Sequence, residues 1–120
     1  MDRVKQYREI VERILRHYAA IPYAHGALES ETVFDREDDR YLLMVVGRDG
    51  KRRVHGCTIH VDIKDGKLWI HRDGIEYGMA RELMDAGVPP EDIVLAFRAP
   101  ERLGELPPTA AAARAARESA

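Results

Sequence analysis

Residues 41–76, YLLMVVGRDGKRRVHGCTIHVDIKDGKLWIHRDGIE, read as strands punctuated by Asp-Gly pairs and followed by a helix. The pairs are Asp49-Gly50, Asp65-Gly66 and Asp73-Gly74. Asp-Gly between alternating apolar runs signals a type I′ turn, because that turn needs positive φ at both central residues. Tight turns in succession also fix register. The Asp65-Gly66 turn sets Ile63 opposite Leu68, Asp62 opposite Trp69 and His60 opposite His71.

The strands of this meander differ in character. Tyr41 to Val46 is apolar on both faces, as in a central strand that is covered twice or lies in a strongly curled sheet. From Arg52 to Ile63 the parity changes: Cys57, Ile59, Val61 and Ile63 share a face, whereas Val54 belongs with the other set. Gly56 lies between the two regimes, and glycine inside a strand often marks a bulge, so a bulge is expected there. Lys67 to Arg72 then returns with Leu68 and Ile70 on the core face.

Upstream, Val4, Tyr7, Val11, Ile14 and Tyr18 recur at spacings of three and four, with Ile10 and Leu15 widening the stripe. One apolar face on a helix over residues 3–19 follows, with Asp2 as N-cap and Pro22 as the stop. Residues 28–35 alternate, with Leu28, Thr32 and Phe34 against Glu29, Glu31 and Asp35, as in a half-exposed edge strand. The run REDDR at 36–40 reads as a solvated, flexible loop. Downstream, Ile75, Met79, Ala80, Leu83 and Met84 have helical spacing. Gly87 stands where a left-handed C′ residue is needed, before Pro89 and Pro90. Ile93, Leu95 and Phe97 suggest a last strand.

The expected class is α+β. An N-terminal helix and a second helix pack on a curled, mainly antiparallel sheet with a three-strand meander, in two layers. Residues 1–103 form a single domain, and 104–120 a flexible Pro/Ala-rich tail. If the sheet does not curl, a second copy of the chain is the other way to cover the doubly apolar strand.

Bulk composition narrows the function classes. With 120 residues there is room for one core, and a formal charge of −2 with pI near 6.2 gives no global field to attract nucleic acid. The lone cysteine, Cys57, precludes an intrachain disulfide and suits a reducing cytoplasm. The opening MDRVKQYREIVERI is too charged for a secretory signal, and no apolar run has membrane-spanning length. A cytoplasmic, soluble protein is expected.

Three places offer chemistry. His60, Asp62, Trp69 and His71 share a patch on the face away from Ile59, Val61, Ile63 and Ile70. Tryptophan is enriched in binding patches, so a protein contact surface is the leading reading. A metal-binding enzyme site of His60, Asp62 and His71 is its alternative. Arg48, Lys51, Arg52 and Arg53 sit on a hairpin tip and offer weak nucleic-acid binding as a second alternative. No aromatic is interleaved with these cations to stack bases, and Asp49 lies among them. Cys57 has no activating neighbour in sequence and reads as a small buried hydrophobe on the face of Ile59 and Val61. No catalytic residue, bound metal or cofactor is therefore expected.

The chain also resembles the XisI family, the fdxN element excision controlling factors best known from cyanobacteria. The resemblance lies in YREIVERIL (7–15), VFDREDDRYLLMVVG (33–47), RRVHGCTIHVDIKDGKLWIHRDGIE (52–76) and ELMDAGVPPEDIVLAFRAPERL (82–103). This sequence departs from the family pattern at Gly47-Arg48 in place of Gly-Trp, and at Ile75-Glu76 in place of Thr-Glu, leaving Asp73 to cap the second helix. It departs again at Arg98, and in its Pro-Pro and alanine tail. The resemblance implies a small α+β fold, often oligomeric, with a homodimer expected here. It also implies a non-enzymatic part in controlling a site-specific DNA rearrangement together with XisH, a companion that resembles an endonuclease.

Overall fold

A computed structural model describes residues 2–23 and 27–97; the expected tail at 104–120 and the departure at Arg98 lie outside them. Helix α1 spans Arg3–Ala19, and Asp2 accepts a hydrogen bond from the Val4 amide at its start. Strands β1 (Ala27–Asp35), β2 (Arg40–Asp49), β3 (Arg52–Lys64) and β4 (Lys67–Asp73) run as an antiparallel meander. Helix α2 (Met79–Asp85) and a 3₁₀ turn (Pro90–Asp92) lead to β5 (Ile93–Leu95), which pairs in parallel with β4. The sheet order is β1-β2-β3-β4-β5, and the sheet is not closed. It is the expected α+β fold.

Both helices lie on one face. Tyr7, Val11, Ile14 and Leu15 of α1 join Met79 and Leu83 of α2 in a single core with Tyr41, Leu43, Ile59, Val61, Ile63, Leu68 and Ile70. Val11 and Leu15 are wholly buried, and each such side chain contributes about 1.5–3 kcal/mol on leaving water. Helix α2 has a Schellman ending, with the Gly87 amide on the Met84 carbonyl and the Val88 amide on the Leu83 carbonyl. Its start is capped from a distance, because Asp73 accepts from the Met79 amide at 2.9 Å and from the Ile75 amide at 3.3 Å.

Three details of the meander differ from the sequence expectation. Asp49 pairs with Arg52, so the two-residue turn is Gly50-Lys51, one residue later than Asp49-Gly50. Only Gly50 has positive φ there, as a II′ turn requires. The bulge in β3 falls at Thr58 rather than Gly56: Met44 pairs with Cys57 and Leu43 with Ile59, leaving Thr58 unopposed. The parity change is real but two residues further along. Cys57 is accordingly half-buried and outside the core cluster. The Asp65-Gly66 turn is as expected, with φ of 55° and 73°.

The loop after β1 is not merely solvated. Arg36 donates two hydrogen bonds to Glu12 of α1, at 2.8 and 2.7 Å, and Arg8 of α1 donates two to Asp39, at 2.7 and 3.0 Å. Asp39 also accepts from the buried Tyr41 hydroxyl. These forks clamp the helix to the β1–β2 connection. The Arg36 fork holds the Glu12 carboxyl below its ordinary value against the opposing effect of burial, and the Arg8 fork does the same for Asp39.

Lowered folded pKa values mean stability that is complete above the ordinary carboxylate range and lost as pH falls through the folded values. Urea midpoints are therefore expected to fall on acidification below about pH 4.5, and Asp39→Asn to lower the midpoint at neutral pH while flattening that acid limb. A second measurement compares two glycines. Gly47 has φ +139°, and a Cβ there would lie 1.9 Å from the Ala27 carbonyl oxygen, whereas among the described residues nothing lies within 4 Å at Gly56. Gly47→Ala is expected to cost more than about 2 kcal/mol by forcing β1 away, and Gly56→Ala less than about 1 kcal/mol.

Candidate functional site

The face of the sheet opposite the helices carries the patch. On β3 and β4, period-two alternation sends Ile59, Val61, Ile63, Leu68 and Ile70 into the core, and His60, Asp62 and Trp69 to the other side. Asp62 pairs with Trp69 and Ile63 with Leu68, as counted from the turn. His60 does not pair with His71. Its partner is Arg72, and Val61 pairs with Ile70, so His71 is the extra residue of a second bulge. The count fails because an inserted residue in β4 leaves no mark on the local composition.

The bulge nonetheless keeps the imidazoles together. Their ring centroids are 4.7 Å apart with planes inclined by 34°. Both converge on one carboxylate: His60 Nε2 lies 2.8 Å from Asp62 Oδ1, and His71 Nε2 lies 3.3 Å from Oδ2. The side chains are 30, 41 and 21 % exposed for His60, His71 and Asp62, so the cluster is reachable from solvent. Trp69 is half-buried, and its indole donates to the Lys64 carbonyl at 3.1 Å with the Lys64 ammonium 5.8 Å from the ring centre. The indole is thus tied to the end of β3.

Two neighbours of the patch were not singled out by sequence. Arg72, brought opposite His60 by the bulge, donates to the Cys57 carbonyl at 3.1 Å. Arg40 stands across from Asp62 because the Thr58 bulge shifts the β2–β3 register. Further along β2, Leu42, Met44 and Val46 are half-buried, and Leu42 pairs directly with His60. Among the described residues, the doubly apolar strand is therefore covered by helices on one side and left open on the other.

The remaining candidates lie elsewhere. Arg48, Lys51, Arg52 and Arg53 are all exposed at the β2–β3 tip, with Arg48 directly opposite Arg53. Cys57 Sγ donates to the Ile59 carbonyl at 3.2 Å, and burial pushes its thiol up, with Arg72 pulling the other way. A raised thiol is a poor nucleophile. Among the titratable groups of α1 and α2, the Tyr7 hydroxyl is pushed up to about 12 by burial and by its bond to Asp92, and Tyr18 to about 12 by its bond to Glu82 and by burial. These tyrosines tie helix to helix and helix to the 3₁₀ turn, on the helix-covered side of the sheet. No helix among the described residues is long and apolar enough to cross a membrane.

Comparison with known proteins agrees with the architecture. The XisI protein family model matches residues 1–104. The crystal structure of a XisI-like protein from Anabaena variabilis ATCC 29413 is 40% identical with a TM-score of 0.71, over 78% of this chain and 85% of that one. The fdxN element excision controlling factor XisI from the same organism is 30% identical with a TM-score of 0.69, over 84% of this chain and 98% of that one. The comparison with curated proteins gives no match. With a family model spanning most of its length and a meander-plus-helices fold shared with both crystal structures, the chain belongs to the XisI family.

Proposed function

We propose that this chain is a non-enzymatic accessory factor controlling excision of a site-specific DNA element, and that it acts by binding an XisH-like, endonuclease-related protein. Family membership supports the first part, since the 30%-identical relative is itself an excision controlling factor. The observation that carries the second is the open sheet face, where Trp69 stands beside His60, Asp62 and His71 with neither helix over it. A partly buried tryptophan whose N–H is already satisfied presents a rigid apolar surface at small entropic cost. The raised Cys57 thiol and the commitment of Glu12 and Asp39 to arginine forks leave the acid–base and nucleophilic roles without an activated group at those positions, which favours binding over catalysis. In this reading the protein works in the cytoplasm as a homodimer, with the half-buried Leu42, Met44 and Val46 adding apolar area beside the patch.

Trp69→Ala is expected to weaken capture of a co-expressed XisH-like partner by about 30-fold or more, an interface hot-spot loss of about 2 kcal/mol, with an unchanged circular dichroism spectrum. Undiminished capture removes the patch from the proposal.

One observation favours a second reading. Arg48 and Arg53 face each other across the strand pair, and like charges so placed repel, which a bound polyanion relieves. If the tip grips phosphates, DNA affinity at low salt falls steeply with added salt, and changing Arg48, Lys51, Arg52 and Arg53 to Ala flattens that dependence by about three to four units of log–log slope. No DNA binding at low salt ends this reading.

A further inference from the structure

We infer that His60, Asp62 and His71 form a binding site for one divalent first-row transition ion, zinc being the reference case. Three features carry it. The donor set is two imidazole nitrogens and one carboxylate, which suits zinc, nickel, cobalt or ferrous iron and suits calcium or magnesium poorly. The donor atoms also converge, all lying within 4.8 Å of one another. Ligand atoms about 2.0–2.2 Å from a tetrahedral zinc stand roughly 3.4 Å apart. His71 Nε2 is 3.3 Å from Asp62 Oδ2, and His60 Nε2, 2.8 Å from Oδ1, has to draw back by only a few tenths of an ångström to admit an ion. Finally, the β4 bulge determines how the histidines meet. Paired in regular register, His60 and His71 would stand side by side across the ladder; with His71 inserted, its Nε2 instead reaches the second oxygen of the Asp62 carboxylate. Bulges re-aim side chains, and this one aims a histidine at a carboxylate already engaged by another.

The three ligands leave at least one coordination position. It opens to solvent, since each member of the cluster is partly exposed on the face away from the helices. Water fills that position in the isolated chain, and a side chain of a docked protein is able to replace it. Binding requires each Nε2 to exchange its contact with the Asp62 carboxylate for the ion: the proton that Nε2 presents to Asp62 moves to Nδ1 or leaves to solvent, and the freed lone pair is donated to the metal. The net −1 charge of two neutral imidazoles and one carboxylate compensates part of the ion's charge. Arg40, across from Asp62, and Arg72, across from His60, oppose it and keep the affinity moderate rather than structural. The inference rests on these ligands alone and not on the partner assigned to the same face.

The test uses the full chain, stripped with chelator, exchanged into a non-coordinating buffer and titrated calorimetrically with Zn²⁺ at neutral pH. One ion per chain is expected at micromolar affinity or tighter. Asp62→Asn and His71→Ala should each weaken binding at least ~10-fold, whereas His55→Ala, an exposed β3 histidine outside the cluster, should leave it unchanged. Cobalt added to the unaltered chain provides a readout independent of how the variants fold: a visible d–d band of low-symmetry intensity, displaced by equimolar zinc. Millimolar binding, binding that survives His71→Ala, equal loss in His55→Ala, or the spectrum of hydrated cobalt overturns the site. Trp69→Ala should retain the metal, so loss of the ion and loss of the protein contact are separable.

Discussion

The β3–β4 hairpin is the constraint on which the rest depends. Its turn, with Asp65 and Gly66 both at positive φ, pins two strands whose alternate residues go to opposite faces. A slip of one residue would exchange Ile59, Val61, Ile63, Leu68 and Ile70 for His60, Asp62, Trp69 and charged neighbours. Core and patch are thus two sides of one register. The helices cover the greasy side, and the other side is polar and aromatic because it is the complement of a core.

Against this ladder the helices are held by two kinds of contact. Apolar burial along α1 supplies the bulk of the stabilisation, and the arginine–carboxylate forks to the β1–β2 loop set the angle at which the helix lies. Glu12 is buried and must be paired, since an unpartnered buried carboxylate would cost several kcal/mol. Arg36 meets that need from a loop whose composition suggests only hydration. The tyrosine hydroxyls of Tyr7 and Tyr18 extend the same logic toward Asp92 and Glu82. Polar contacts here fix orientation more than they add stability.

Two bulges then adjust what the alternation delivers. At Thr58 the extra residue shifts β3 against β2, carrying Cys57 out of the core set and Arg40 to Asp62. At His71 the extra residue breaks the symmetric histidine pair but keeps both rings on Asp62. Each costs a ladder position, and each changes which side chains meet on the open face. The fold is that of the XisI family, while the chemistry of this face follows from these local geometries.

By itself the sequence determined the periodic parts: helix 3–19 with its Asp2 cap, the meander, the Asp65-Gly66 turn, the left-handed Gly87 and the family. All rest on local signals, namely apolar spacing, turn residues and contiguous motifs. Tertiary structure alone decided the Gly50-Lys51 turn, the bulges at Thr58 and His71, and the clamping of Arg36 and Asp39 onto α1. An inserted strand residue and an arginine's choice of partner are settled by packing between segments distant in sequence, and neither leaves a trace in the residues beside it.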